Sequence, residues 1–160
     1  MDKKPEEISQ VKIIVDTNIV FSAILNSSSR IGKILITSKA HFQFYTCDFL
    51  RDELFKHRNK IIKLTGLTEK ETEELELLVI ENITFINEQL IPSKTISSTK
   101  TLLKNIDLDD IPFVALTKHL KGVLWTGDKK LLAGLKEKKF TNTITTSELS
   151  VLLDKLESEQ

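Results

Sequence analysis

Residues 11–25, VKIIVDTNIVFSAIL, hold the reading on which the fold turns. The run Val11 to Val15 is short, β-branched and almost wholly apolar, as expected of a strand covered on both faces. Asp16 follows it directly, and Thr17 to Leu25 then reads as a helix. Strand passing at once into helix is the first half of a βαβ unit, whose second strand must lie parallel to the first.

Working outward, Asn26 to Ser29 (NSSS) breaks the helical pattern and Ile31 to Ser38 resumes it. Phe42 to Tyr45 is a second strand candidate, followed by a helix from Asp48 to His57. Thr68 to Ile80 opens as a capping box, Thr68 followed three residues on by Glu71. Its Leu75, Leu78 and Val79 are expected to face the core and its glutamates to face water. Ile83 to Ile86 reads as a strand and Ser93 to Leu103 as a helix. Asp110 opens the helix IPFVALTKHL, in which Pro112 falls in the tolerated first turn. Val123 to Thr126 is a strand, Lys129 to Leu135 a helix, Phe140 to Ile144 a weak strand and Ser147 to Leu156 a closing helix. This alternation predicts a three-layer α/β/α sandwich around a central, mainly parallel sheet of four to five strands. Residues 11–157 are expected to form one domain, with residues 1–10 as a flexible extension.

Composition narrows the function classes. Hydrophobic residues at 40% and charged residues at 29% give a globular balance, not that of a disordered chain. Lys plus Arg (23) equals Asp plus Glu (23), so net charge draws the chain to neither nucleic acid nor membrane, and any polyanion site must be a local patch. Cys47 is the single cysteine, which excludes an intrachain disulfide and reads as a small buried residue. The N-terminus MDKKPEEISQ has no apolar signal core, and no apolar run reaches the roughly 18 residues of a membrane span. A cytoplasmic location without membrane association is the expectation.

In a parallel sheet, ligands bind beyond the carboxyl ends of the strands. Asp16 stands at one such end, and Asp128 follows the strand VLWT after one glycine. Asp110 opens a helix after the acidic loop DLDD, and Glu53 lies in the helix after FQFY. Each acid has an ordinary structural explanation: an Asp before a helix caps its free N–H groups, a helical Glu faces solvent, and Asp107 and Asp109 serve loop solvation or capping. Several carboxylates gathered in one cleft, however, repel one another unless a cation or protons compensate. The hard, oxygen-preferring Mg²⁺ or Mn²⁺ is the natural compensation. Cys47, His41, His57 and His119 lack zinc-ligand spacing, each His reads as a surface or helix-end residue, and no nucleophile elbow or GxxxxGK[ST] phosphate loop occurs.

The same segments carry a family resemblance. IIVDTNIVFSAIL resembles the opening motif of PIN domains, the PilT N-terminus and VapC-toxin-like ribonucleases. FLRDELFKH resembles the second motif, DLDDIPFVALTKHL the third and VLWTGDKKLL the fourth, in family order from residue 11 to about 135. The resemblance implies a metal site at Asp16, Glu53, Asp110 and Asp128, supported by Asn18 and Thr126. It further implies Mg²⁺- or Mn²⁺-dependent cleavage of single-stranded or structured RNA, with an antitoxin protein and a homodimer as expected partners. Two departures qualify it. Lys130 stands where many relatives have a further acid, which bears on a second ion, and Asp52 and Asp107 compete for the roles given to Glu53 and Asp110. Lys56, Arg58, Lys60 and Lys63, or Lys129, Lys130, Lys136, Lys138 and Lys139, are candidate phosphate contacts, with Lys129 and Lys130 favoured by their closeness to Asp128. The competing reading is a catalytically weak PIN-fold module that binds RNA or protein. A phosphatase-type site is disfavoured because Asn18 occupies the position of its second Asp.

Overall fold

β1 (Val11–Val15) lies at the centre of a five-stranded sheet whose order is β3-β2-β1-β4-β5. The computed structural model describes residues 11–159, so the extension expected at residues 1–10 falls outside the described residues. Every neighbouring pair is parallel: β2 is Phe42–Cys47, β3 Ile83–Ile86, β4 Val123–Trp125 and β5 Thr143–Ile144. Ile13, Ile14 and Val15 are wholly buried, which is why β1 has no polar face to alternate.

Between these strands run α1 (Thr17–Leu25), α2 (Arg30–Thr37), α3 (Phe49–Thr65), α4 (Glu69–Ile80), α5 (Ser93–Leu102), α6 (Ile111–Leu120) and α7 (Lys129–Glu137), with α8 (Thr146–Ser158) after β5. The chain steps one way from β1 to β2 to β3, then returns past β1 to β4 and β5. Right-handed crossovers taken in opposite directions put helices on opposite faces, giving the three layers expected. α6 packs on β1, β2 and β4, with α5 behind it, while α1 packs against α2, α3 and α4. Phe44 and Trp125, 6.1 Å apart between ring centroids, knit β2 to β4 across β1, and Trp125 Nε1 donates to Thr146 Oγ1 at 3.0 Å.

Element ends follow local chemistry. The capping box at Thr68 and Glu71 is formed, and a second joins Thr145 to Glu148 at the start of α8. Gly66 ends α3 at φ 73°, the left-handed conformation glycine adopts without penalty. Gly122 lets the chain enter β4 beside β1, since a Cβ there would stand 2.8 Å from the Lys12 carbonyl oxygen. Among the described residues no single helix is long and apolar enough to cross a membrane.

The structure corrects several expectations. α3 runs eight residues past His57, because Ile61 is buried and carries the apolar stripe of Leu50 and Leu54 onward. β4 ends before Thr126, and β5 keeps only two residues of the expected stretch. Leu78 is exposed, and the buried face of α4 is Thr72, Glu76 and Val79. His41 is buried as well. The glutamates of α4 are therefore not all solvated: Glu76 Oε2 accepts from Arg58 at 2.8 Å, and Arg58 also reaches Glu73 at 3.1 Å.

Arg58 is thereby committed to helix packing. Arg58→Met leaves the Glu76 carboxylate buried without its cation and is expected to lower stability by roughly 2 kcal/mol in urea unfolding. Arg58→Met/Glu76→Leu, which removes both charges, should recover much of that loss. An unchanged urea midpoint for Arg58→Met would mean that the pair is no more than a surface contact.

Candidate active site

The strand order reverses at β1, so the crevice beyond the carboxyl ends of β1 and β4 is the switch point of the sheet. Val15 pairs with Trp125 in register, and the next residues on each side are Asp16 and Thr126. They meet: the Thr126 side chain faces Asp16 and favours its charged form, and Thr126 Oγ1 accepts from the Asp128 backbone N–H at 3.1 Å. One wholly buried hydroxyl thus ties the end of β1 to the loop that presents Asp128.

Asp16 and Asp128 both act as helix caps. Asp16 Oδ1 accepts from Ile19 N–H at 3.0 Å to start α1, and Asp128 Oδ1 accepts from Leu131 N–H at 3.0 Å to start α7. The ordinary explanation therefore holds for these two, and each carboxylate has a second oxygen beyond it. Asp110 differs, because its side chain makes no capping bond at α6. Asp107 instead caps the preceding 3₁₀ turn Leu108–Asp110, where it accepts from Asp109 N–H at 3.0 Å.

A cleft of about 390 Å³ opens here, and Asp16, Asn18, Glu53, Asp107, Asp109, Asp110 and Asp128 all line it. The four acids named from sequence thus come from β1, α3, the loop before α6 and the loop after β4 to one place. Asn18 joins them at the cleft wall, whereas Thr126 sits beneath, buried, and acts through Asp16 and Asp128. Glu53 lines the cleft and Asp52 does not. Asp107, Asp109 and Asp110 all reach it, which leaves the third motif acid-rich in space as in sequence.

Electrostatics record the crowding. Burial pushes Asp16 above its ordinary range; the Thr126 hydroxyl and the Ile19 and Asn18 N–H groups oppose this, while the charge of Asp128 adds to it. Asp110 is pushed up to about 7, first by burial and then by the charges of Asp107, Asp128, Asp16 and Asp109. At neutral pH this cleft therefore holds more negative charge than it can readily accommodate alone.

The donors are all oxygen, the kind a hard divalent cation prefers. Thr17 Oγ1, buried in the same wall, has no hydrogen-bond partner among the described residues. Among the described residues, no group of three or more His, Cys, Asp or Glu side chains is gathered so that it would hold an ion as it stands. The donor chemistry fits Mg²⁺ or Mn²⁺ in kind, and Mg²⁺ keeps several waters and takes few protein ligands directly.

Sequence reasoning missed one wall of the cleft. His57 Nε2 lies 3.4 Å from Glu53 Oε2 one turn away, and its ring meets Phe21 edge-on at 5.4 Å. Lys60, Ile61 and Leu64 follow on α3. The i, i+4 spacing of Glu53 and His57 was the available signal. Of the candidate phosphate contacts, Lys60 lines the cleft, Arg58 is turned to α4, and Lys129 and Lys130 are exposed outside the lining. Ser29 caps α2 and lies outside the cleft lining.

A sequence model of the PIN domain matches residues 14–153. No curated protein gives a significant sequence match. Among solved structures, VapBC2 from Rickettsia felis, bound to a DNA fragment from its promoter, is similar at TM-score 0.64 and 14% identity, covering 84% of this chain and 97% of that one. PAE2754 from Pyrobaculum aerophilum is similar at TM-score 0.64 and 14% identity, covering 92% and 90% respectively.

Proposed function

This chain belongs to the PIN domain family, and on that premise we propose that it is a divalent-metal-dependent ribonuclease hydrolysing phosphodiester bonds of single-stranded RNA. The observation that carries the reading is the convergence of Asp16, Glu53, Asp110 and Asp128 on one cleft at the switch point of the sheet. Asp16, Asp110 and Asp128 would hold Mg²⁺ or Mn²⁺ directly or through water, with Glu53 completing the set. The chemistry a bound cation supplies is charge neutralisation at a phosphodiester and a water acidic enough to attack it near neutral pH.

The protein's own contribution is placement. Capping fixes one oxygen of Asp16 and of Asp128 on rigid helix ends, which aims the other without loop freedom. Thr126 locks the two together from below, and Asn18 offers a polar side chain at the wall. His57 restrains Glu53. With Lys130 in place of a further acid and outside the cleft, the reading calls for one resident ion.

The likeness to VapBC2 supports a second layer of the proposal: a toxin role, with an antitoxin protein and a second copy of this chain as partners. The rival reading, a PIN-fold module that binds without cutting, draws on one observation, that no three donors are gathered to hold an ion among the described residues.

Two measurements separate the readings. A labelled single-stranded RNA should be cut in Mg²⁺ or Mn²⁺ and left intact in chelator. Mn²⁺ at a hundredfold excess over its Kd should stabilise the fold by about 2.7 kcal/mol, a rise in Tm of about 8 °C. Asp16→Asn/Asp128→Asn should abolish both responses. Binding of RNA with no cleavage under any divalent ion would favour the non-cutting module, and an equal Tm shift in the double variant would remove the metal site from this cleft.

A further inference from the structure

The cleft is chemically two-sided. Opposite its carboxylates stands a wall from α1 and α3: Phe21, Leu25, His57, Lys60, Ile61 and Leu64. The α1 pair is spaced i, i+4 and the α3 set i, i+3, i+4 and i+7 from His57, so each helix presents one continuous face. Leu25 (44% exposed) and Leu64 (63% exposed) leave apolar surface open at the cleft. Phe21 is held by the edge-on contact with His57. Lys60 makes no ion pair among the described residues and is the lysine in the lining.

We propose that this wall is a nucleoside subsite: one unstacked base of the RNA lies against Phe21, Leu25 and Leu64, and Lys60 takes the phosphate beside it. The inference rests on the ribonuclease reading above and adds where the substrate's base goes. Size is the first argument. A cation with six waters, at about 30 Å³ each, fills on the order of half of a 390 Å³ cleft, which leaves room for a planar group beyond the acids. Charge is the second. An acidic floor repels a bare polyanion, so the basic group that admits a phosphate must stand apart from it, and Lys60 does so on the apolar side. The third is the ligand class: single-stranded RNA is recognised through bases splayed onto aromatic and apolar side chains, which a neutral, half-apolar wall suits. A protein segment would need only the leucines, and it would leave Lys60 and the adjoining carboxylates without a role.

The test uses the full chain in Mn²⁺ with a short RNA whose single cleaved bond has been mapped, and matched RNAs abasic at each position flanking that bond. One flanking abasic site should cost about 10-fold in kcat/KM, chiefly through KM. Leu25→Ser/Leu64→Ser, two changes at exposed positions, should impose a similar loss on intact RNA and abolish the abasic penalty. Lys60→Gln should raise KM and reduce the slope of log KM against log salt by about 0.7. If the parent cuts RNA but no abasic site matters, or if the leucine variant keeps the full penalty, the subsite is overturned while the nuclease reading stands. A leucine variant unchanged on every RNA also overturns it and assigns the wall to a protein partner. A parent that neither cuts nor binds RNA in Mn²⁺ overturns both.

Discussion

Asp16→Asn is expected to abolish metal-dependent RNA cleavage, by about 10³-fold or more in kcat, while the protein folds as the parent does. The two halves of that result follow from the two oxygens of one side chain. The first, Oδ1, caps α1 through Ile19 N–H, and an asparagine carbonyl oxygen fills that place at little change in helix stability. The Thr126 hydroxyl beside it can donate to an amide oxygen as it can to a carboxylate. Folding loses nothing it depends on, and the carboxylate that burial has already pushed above its ordinary range is replaced by a neutral group. What disappears is a negative charge at the switch point of the sheet. Several kcal/mol of charge stabilisation at a reacting phosphate convert to three or more powers of ten in rate. Circular dichroism should match the parent and the Tm should be no lower, and Mn²⁺ should no longer raise it fully. An Asp16→Asn protein that cuts at the parental rate would remove Asp16 from the site and, with it, the reading built on the strand-end acids.

How much of this was legible beforehand divides along a physical line. β1 and Asp16 were plain, because a strand buried on both faces writes itself as an unbroken apolar run. Asp128 was plain for a similar reason, as the residue just past a second such run. The all-parallel order follows from alternation and handedness, rules that need no tertiary detail. The wall of the cleft was not legible. It depends on α3 continuing through Asn59–Thr65, and NKIIKLT carries too few apolar residues to announce a helix until Ile61 is seen to be buried. Stopping the helix at His57 hid Leu64 and the direction in which Lys60 faces, and it left Lys129 and Lys130 as the favoured cations on sequence nearness alone. Arg58 shows the same limit from the other side. Its partners Glu73 and Glu76 lie on a different helix, and no local spacing encodes that pairing. The capping role of Asp107 likewise appears only once the 3₁₀ turn exists, and so does the absence of any capping bond from the Asp110 carboxylate, which leaves it uncommitted.

That uncommitted carboxylate gives the second large effect: without divalent cations, Asp110→Asn should be more stable than the parent above neutral pH and no more stable near pH 4. Asp110 has an ordinary value of 3.8 and is pushed up to about 7 in the folded chain, first by burial and then by Asp107, Asp128, Asp16 and Asp109. Between those values the folded protein keeps a proton that the unfolded chain has released. Its contribution to stability is therefore complete below pH 3.8, declines as pH rises, and is gone once pH passes about 7. An asparagine never takes up the charge, so the stability difference between variant and parent should grow through that window and level off by pH 8. Three pH units correspond to about 4 kcal/mol at most, and screening at a half-exposed side chain brings the expected gain to roughly 1–2 kcal/mol. Urea unfolding of both proteins from pH 4 to pH 8 measures it directly, and taking the difference cancels every other titrating group that the change leaves alone. Mn²⁺ should act the other way, stabilising the parent at pH 8 by favouring the charged carboxylate and so eroding the advantage of the variant. The same substitution should cost RNA cleavage heavily, so that the change which relieves the fold disables the site. Superimposable pH–stability curves for the two proteins would show that Asp110 is not held in this crowd of charge, and would take from the cleft the imbalance on which its need for a cation rests.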